Sequence, residues 1–436
     1  MTGQATVAQP SPASIPCDGP DSAGTASTGE LPDDGVDAQL ECSAHAALDA
    51  SADELAINAH ADAKLGLDLL GALASGNENV LLSPLSLRTG FGQVYAGASG
   101  ESRAEIETLF GFAALGDRTH DVLGAIAQKL ETRNAEETEY EPGLVLDPVN
   151  RAFFDIAFED GVRPDWKQRV QDAYGVCFEY FDMNRDLEAT RTHINRWVSH
   201  ETHERIPDLV KYLPGRVSLV VANALYLRAS WATPFDDGAT HPATFDTHRG
   251  AAVEVEMMHA SALSAEYAAD ESWEAVAIPY SDSRLEMVVV LPKDAHDEGF
   301  EAQLDADKLD EIFASMSPAV VDLELPKFDI KSSWALGETL RSLGMNAAFS
   351  NAEDFDGIAA GMAPIFEVFH DVAIAVDEKG TEAAAATAVV FGDGSGGLDS
   401  PEFTLQVDYT FYVAIRDRDA QDRKSTRLNS SHANVS

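Results

Sequence analysis

Hydrophobic spacing divides the 436-residue chain into a helix-rich first half and a strand-rich second half. In "NAHADAKLGLDLLGAL", Ala63, Leu67 and Leu70 recur with helical spacing, which predicts one face of an amphipathic helix. "NVLLSPLSLRTGFGQVYAGASGESRAEIETLF" reads as a short apolar strand, Ser-Pro punctuation, a helix, a glycine turn, and a second helix capped at Ser102 with Glu105 three residues on. "TRTHINRWVSHETH" predicts a helix that turns Ile194, Trp197 and Val198 inward. "RVSLVVANALYLRASW" and "LEMVVVLP" are near-continuous β-branched runs, as strands covered on both faces require. "AVVDLELPKFDI" alternates apolar and polar positions, the pattern of a strand with one wet face, and "WALGETLRSLGM" is helical again. Helices first, strands later and no repeat predict one large α+β domain, not a doubly wound parallel sheet.

Composition changes that picture at the two ends. Residues 1–50 are rich in Ala, Ser, Gly, Pro and Asp without apolar periodicity, so they are expected to form a disordered acidic tail. The remainder, in a chain that is 45% hydrophobic, can bury a sizeable core. Formal charge is −44, from 74 acidic and 30 basic residues, and lysine supplies only ten of the basic ones. A carboxylate-rich, lysine-poor surface stays hydrated in strong salt, which points to a salt-loving prokaryotic source. The same charge repels phosphate backbones and anionic lipids, so neither nucleic acid nor a membrane is an expected partner. Cys17, Cys42 and Cys177 make no disulfide framework, and Cys177 is expected to be a small buried hydrophobe. No stretch reaches the ~18 apolar residues of a membrane span, and no export signal is visible. The cytoplasm is therefore the favoured compartment.

A search for catalytic chemistry yields little. No phosphate-cradling glycine loop follows a strand. "HETHE" (His200 to Glu204) spaces its histidines three apart, where the zinc motif needs four, and reads as a solvated helix face. "GDGSGG" (Gly392 to Gly397) faintly resembles the loop presenting the nucleophile in trypsin-like proteases. However, none of the twelve histidines lies in a matching upstream motif, and helices do not suit that all-β fold. The chain is expected not to be an enzyme and to need no metal or cofactor.

The most informative stretch is "VDEKGTEAAAATAVVFGDGSGG". Alanine propensity favours a helix. As a strand of period two, however, Thr381, Ala383, Ala385, Thr387 and Val389 share one face, all small or β-branched. Such a segment could enter the middle of an existing sheet without clashing with the core beneath. The stretch closely resembles the reactive-loop hinge of the serpins, and the resemblance spans residues 56–417. "VVANALYLRASWATPFD", "LPKFDI" and "VFHDVAIAVDEKGTEAAAATA" stand in family order.

What the resemblance implies is a suicide-substrate inhibitor of serine endopeptidases, subtilisin-like or chymotrypsin-like, with cysteine proteases as a further class. Its fold would pack helices around a large mixed sheet A, with sheets B and C, and expose a reactive loop at about 378–403. By the same resemblance the chain would act as a monomer, and an extracellular site is the alternative to the cytoplasm. Glu378 and Lys327 would pair at the top of sheet A, Gly380 would give the hinge freedom, and Thr381 would enter first, ahead of Ala383, Ala385 and Thr387. Ser83, Ser86, Asn223 and His370 would form the buried polar cluster that gates the sheet, with Trp231 at its upper end. Counting from either side of the loop puts the scissile bond near Gly394 or near Leu398, Asp399 and Ser400. The loop would then be about five residues longer than usual, with "GDGSGG" as the insertion. After "FYVAIRD" the family's last apolar strand is missing, so residues 419–436 are expected to be foreign or frameshifted sequence and the domain to run over 51–418. The alternative is a non-inhibitory binding or chaperone protein of the same fold.

Overall fold

The structure, a computed structural model, describes residues 36–43, 45–74, 79–135, 143–247, 251–294, 298–382 and 400–419. Its helices are α1 (Ala52–Leu73), α2 (Pro84–Tyr95), α3 (Gly100–Leu109), α4 (Thr119–Glu131), α5 (Pro164–Tyr174), α6 (Leu187–Glu201), α7 (Glu298–Gln303), α8 (Ala306–Ser315) and α9 (Gly337–Ser342). The strands are β1 (Gln39–Glu41), β2 (Leu144–Asp155), β3 (Cys177–Phe181), β4 (Leu219–Ser230), β5 (His241–Asp246), β6 (Ala252–Ala269) and β7 (Trp273–Pro279), then β8 (Leu285–Pro292), β9 (Ser317–Pro326), β10 (Phe328–Ala335), β11 (Phe369–Asp377), β12 (Gly380–Thr381), β13 (Phe403–Gln406) and β14 (Tyr412–Asp417).

Two hydrogen-bonded sheets carry the fold. The first runs β1-β3-β2-β4-β12-β11-β10, and the second β13-β9-β6-β7-β8-β14 with β5 beside β6. The separate sheets B and C of the sequence reading share the long strand β6, whose pairing with β9 shifts register between Ala260 and Leu263. A bulge there bends one ladder into two differently facing parts. Strand β8, from "LEMVVVLP", is buried along its whole length, as its unbroken apolar run demands. One core cluster, including Val376 and Ile374 from β11 and Val289 from β8, lies between the sheets. A smaller one sets Ile194, Trp197 and Val198 of α6 against Phe153 of β2, which lays α6 over the outer face of the first sheet. Among the described residues no helix is long and apolar enough to cross a membrane.

Several expectations are corrected. Residues 36–43 and 45–50 are not tail: β1 pairs antiparallel with β3, and Ala46 N–H donates to Asp172 O at 3.0 Å. Cys177 is no isolated hydrophobe, because it forms a disulfide with Cys42 across a sequence separation of 135. The cross-link and the β3 edge together supply the order that a low-hydrophobicity segment could not find alone. Helix α3 begins at Gly100 and not behind Ser102. Ser102 instead donates to the Asp354 carboxylate at 2.7 Å, and Glu105 accepts from Ala347 N–H at 2.6 Å, so tertiary partners replace the expected local cap. On α1, Ala63 and Leu70 are buried as expected, Leu67 is only half-buried, and Leu65 and Leu69 are buried as well, so the inward face is broader than the one expected.

Candidate functional site

The site is a slot in the first sheet, and its upper end is built around Glu378. Chain leaving β11 turns at Asp377, whose carboxylate accepts from Lys379 N–H at 2.8 Å and Gly380 N–H at 3.2 Å. Trp231, fully buried, grips this turn: its backbone N–H donates to Lys379 O at 2.8 Å and its indole N–H to Asp377 O at 2.9 Å. The indole stacks on Tyr280 with centroids 4.6 Å apart. Glu378 Oε1 lies 2.6 Å from Lys327 Nζ at the start of β10, and it accepts from Thr240 at 2.6 Å. Burial would raise the Glu378 carboxyl, but the hydrogen bonds from Lys327 and Thr240 outweigh it and hold the group below its ordinary range.

Beyond the turn, Gly380 and Thr381 are already strand. They pair antiparallel with Val376 and Asp377 of β11 on one side and with Ala229 and Ser230 of β4 on the other. A Cβ at Gly380 would lie 2.2 Å from Ala229 O, so glycine is needed for close backbone approach, a sharper reason than hinge freedom. Thr381 is buried, and its hydroxyl lies 2.6 Å from that of Tyr280. Burial pushes the Tyr280 hydroxyl pKa up strongly, which keeps it neutral.

The middle of the slot is held by a polar cluster at the start of α2. Ser83 N–H donates to His370 Nε2 at 3.0 Å, and Ser83 and Ser86 hydroxyls are 2.9 Å apart. A ring that accepts at Nε2 is neutral and carries its proton on Nδ1. Burial drives the His370 pKa down to about 4, which agrees with that tautomer. Asn223 sits in β4 opposite Asn150 of β2. At the foot, where the first residues of β4 and β11 face each other, lies a cavity of about 210 Å³ walled by Phe91, Leu209, Val221, Met362 and Phe369 and closed by His370.

The structure thus brings together Glu378, Lys327, Gly380, Thr381 and Trp231 at the top, and Ser83, Ser86 and His370 below. Ala383, Ala385, Thr387, Gly394, Leu398 and Asp399 lie outside the described residues, while Ser400 is exposed ahead of β13. Residues 420–436 also lie outside them, and among the described strands β14 ends the second sheet. Thr240 and Tyr280 were not anticipated, since neither carries a local motif and each reaches the hinge only through the fold. "HETHE" closes α6 and runs into the turn beyond it, and among the described residues no cluster of metal-ligating side chains forms.

The two-residue strand β12 is thus seated in the centre of a seven-stranded sheet, between β4 and β11. The chain matches the family model described as "Serpin (serine protease inhibitor)" over residues 60–423, and it belongs to the serpin family. It is 31% identical over 354 residues to an uncharacterized serpin-like protein of Thermococcus kodakarensis, covering 81% of this chain and 80% of that one. The human leukocyte elastase inhibitor is 28% identical over 371 residues, covering 82% of this chain and 94% of its own. Among solved structures, the thermophilic serpin tengpin in its native state superposes with a TM-score of 0.76 at 24% identity, covering 91% of this chain and 100% of that one. That likeness establishes the fold.

Proposed function

We propose that the protein is a suicide-substrate inhibitor of serine endopeptidases of the subtilisin- or chymotrypsin-like kind. The observation that carries this reading is Thr381, the first hinge residue, already paired with both β4 and β11. Continued from those pairs, the register would set Ala383 opposite Ile374, Ala385 opposite Val372, and Thr387 between Asn223 and His370. Residues 382–388 would then have a partner strand on each side before β11 runs out at Phe369. The odd-numbered side chains would turn toward the core with Thr381, and only small ones fit above the packed α2 and β8. Walls of the foot cavity, now short of contacts, would gain them.

In the reaction, the protease serine Oγ attacks a loop carbonyl carbon and the peptide C–N bond breaks. The protonated amine departs as the new N-terminus of the C-terminal fragment, leaving an ester to the loop. Insertion of 382–388 then carries the acyl-enzyme away before water can cleave the ester. The Leu398 and Asp399 carbonyls and that of Gly394 are the sites of attack we favour. The Cys42–Cys177 disulfide supports an oxidising compartment over the cytoplasm, where the secreted enzymes of this class are met. The charge of −44 supports a high-salt setting.

The test is to mix the protein with subtilisin and with chymotrypsin and run a denaturing gel. An inhibitor gives a band at the summed mass, and mass spectrometry of the released C-terminal fragment locates the bond. A cleaved protein with no such band would refute the reading and leave a binding or chaperone role.

A further inference from the structure

Among the described residues, the non-glycine residues with left-handed backbone are His203 (φ 49°), Glu204 (φ 65°) and Glu382 (φ 50°). Side chains rarely tolerate this conformation, and where several such residues occur the surroundings must impose it. The first two lead into Arg205, which faces the third. Arg205, next after the strained pair, places Nε 2.7 Å from Glu382 Oε1 and donates from Nη2 to Asp329 Oδ1 of β10 at 3.0 Å. The His203 ring packs on Tyr226 of β4 with centroids 4.4 Å apart, and Tyr226 hydrogen-bonds Glu382 in turn. The turn bearing Arg205 is tied back to α6, since Glu204 N–H donates to Ser199 O at 2.7 Å and Ile206 N–H to the Thr202 hydroxyl at 3.1 Å.

Glu382 directly follows β12. Its N–H already donates to Ala375 O at 2.9 Å, but its own backbone is left-handed and not extended. Further entry requires Glu382 to become extended, opposite Arg228 of β4 by the observed register. That change pulls its carboxylate out of the pocket formed by Arg205 and Tyr226.

We propose that Arg205 is a positioning residue that latches the hinge at Glu382, arresting strand entry at Thr381 until the loop is cut. This rests on the loop-insertion reading above. Cleavage frees the far end of the loop, and the latch is then the first contact to break. The α6 turn thereby sets how readily the molecule springs, without touching the protease.

The test compares the parent with Arg205→Met, Glu382→Gln, the double variant and Arg205→Lys. Each is warmed uncut below its melting point, and conversion to a form resisting urea on a gradient gel is timed. Each is also titrated against subtilisin for the share of cleaved molecules trapped as adduct. The latch predicts that Arg205→Met and Glu382→Gln each speed conversion about tenfold and raise the trapped share. It predicts that the double variant gains nothing beyond either single change and that Arg205→Lys stays near the parent. Unchanged conversion and trapping, or additive effects in the double variant, would overturn it while leaving insertion intact. A clipped parent that gains no heat resistance would overturn both.

Discussion

Clipping the loop anywhere beyond residue 391 should convert the native fold into a much more heat-resistant one. The register that seats Thr381 gives residues 382–388 neighbours on both sides, seven residues in all. Each can add up to two ladder hydrogen bonds, at about 0.5–1.5 kcal/mol net apiece. Parting β4 from β11 takes back some of this, leaving about 10 kcal/mol. Unfolding entropy of about 2.1 cal/mol/K per residue, summed over the ~360 residues of the family match, makes about 0.76 kcal/mol equivalent to one degree. A rise of about 13 °C should follow. The assay is differential scanning calorimetry of uncut and subtilisin-clipped samples, with the clip confirmed by mass. The clipped Thr381→Arg variant serves as the control, because a guanidinium cannot be buried between β4 and β11. If the clipped parent melts within two or three degrees of the uncut one, strand entry is not the driving step.

Three further outcomes are expected. Thr381→Arg should lower the native melt, because Thr381 is already buried between β4 and β11 beside Tyr280, and should abolish the covalent adduct, turning the protein into a substrate; adduct formation at parental levels would contradict the hinge assignment. His370 and His120 are both buried neutral with pKa values pushed down to about 4, so the unfolded chain binds more protons between pH 6.5 and 4. Stability is therefore full above pH 6.5 and falls as pH drops through that window, by up to about 3 kcal/mol per ring, and His370→Gln should remove its share of the slope in urea melts. Deleting Asp393–Gly397 should shorten the tether between the sheet's foot and the Leu398–Asp399 bond by about 16 Å and raise the trapped fraction. An unchanged fraction would rule out loop slack as a brake, and lost cleavage would place the cut at Gly394.

Much of this was legible in the chain. The Glu378–Lys327 pair and the Ser83–His370 contact join residues that the serpin resemblance had named. What stayed hidden was long-range. Cys42 and Cys177 are separated by 135 positions, and no spacing rule brings two such cysteines within bonding range. Ser102 looked like a helix cap because its local pattern permits one, yet Asp354, far away in the chain, takes its hydroxyl. Arg205 lies just past "HETHE", where the eye is drawn to histidine spacing. Its importance comes from a left-handed backbone that side-chain patterns do not encode.

The three residues of β1 have an effect out of proportion to their number. Sheets end in rows of free amides and carbonyls that recruit strands from neighbouring molecules. At one edge of the first sheet that rim is only Gln39–Glu41, riveted to β3 by sulfur and flanked by the Glu41–Lys167 charge pair. A passing molecule finds too short a template to dock against. At this border, strand addition from a neighbouring molecule is disfavoured by the brevity and cross-linking of β1.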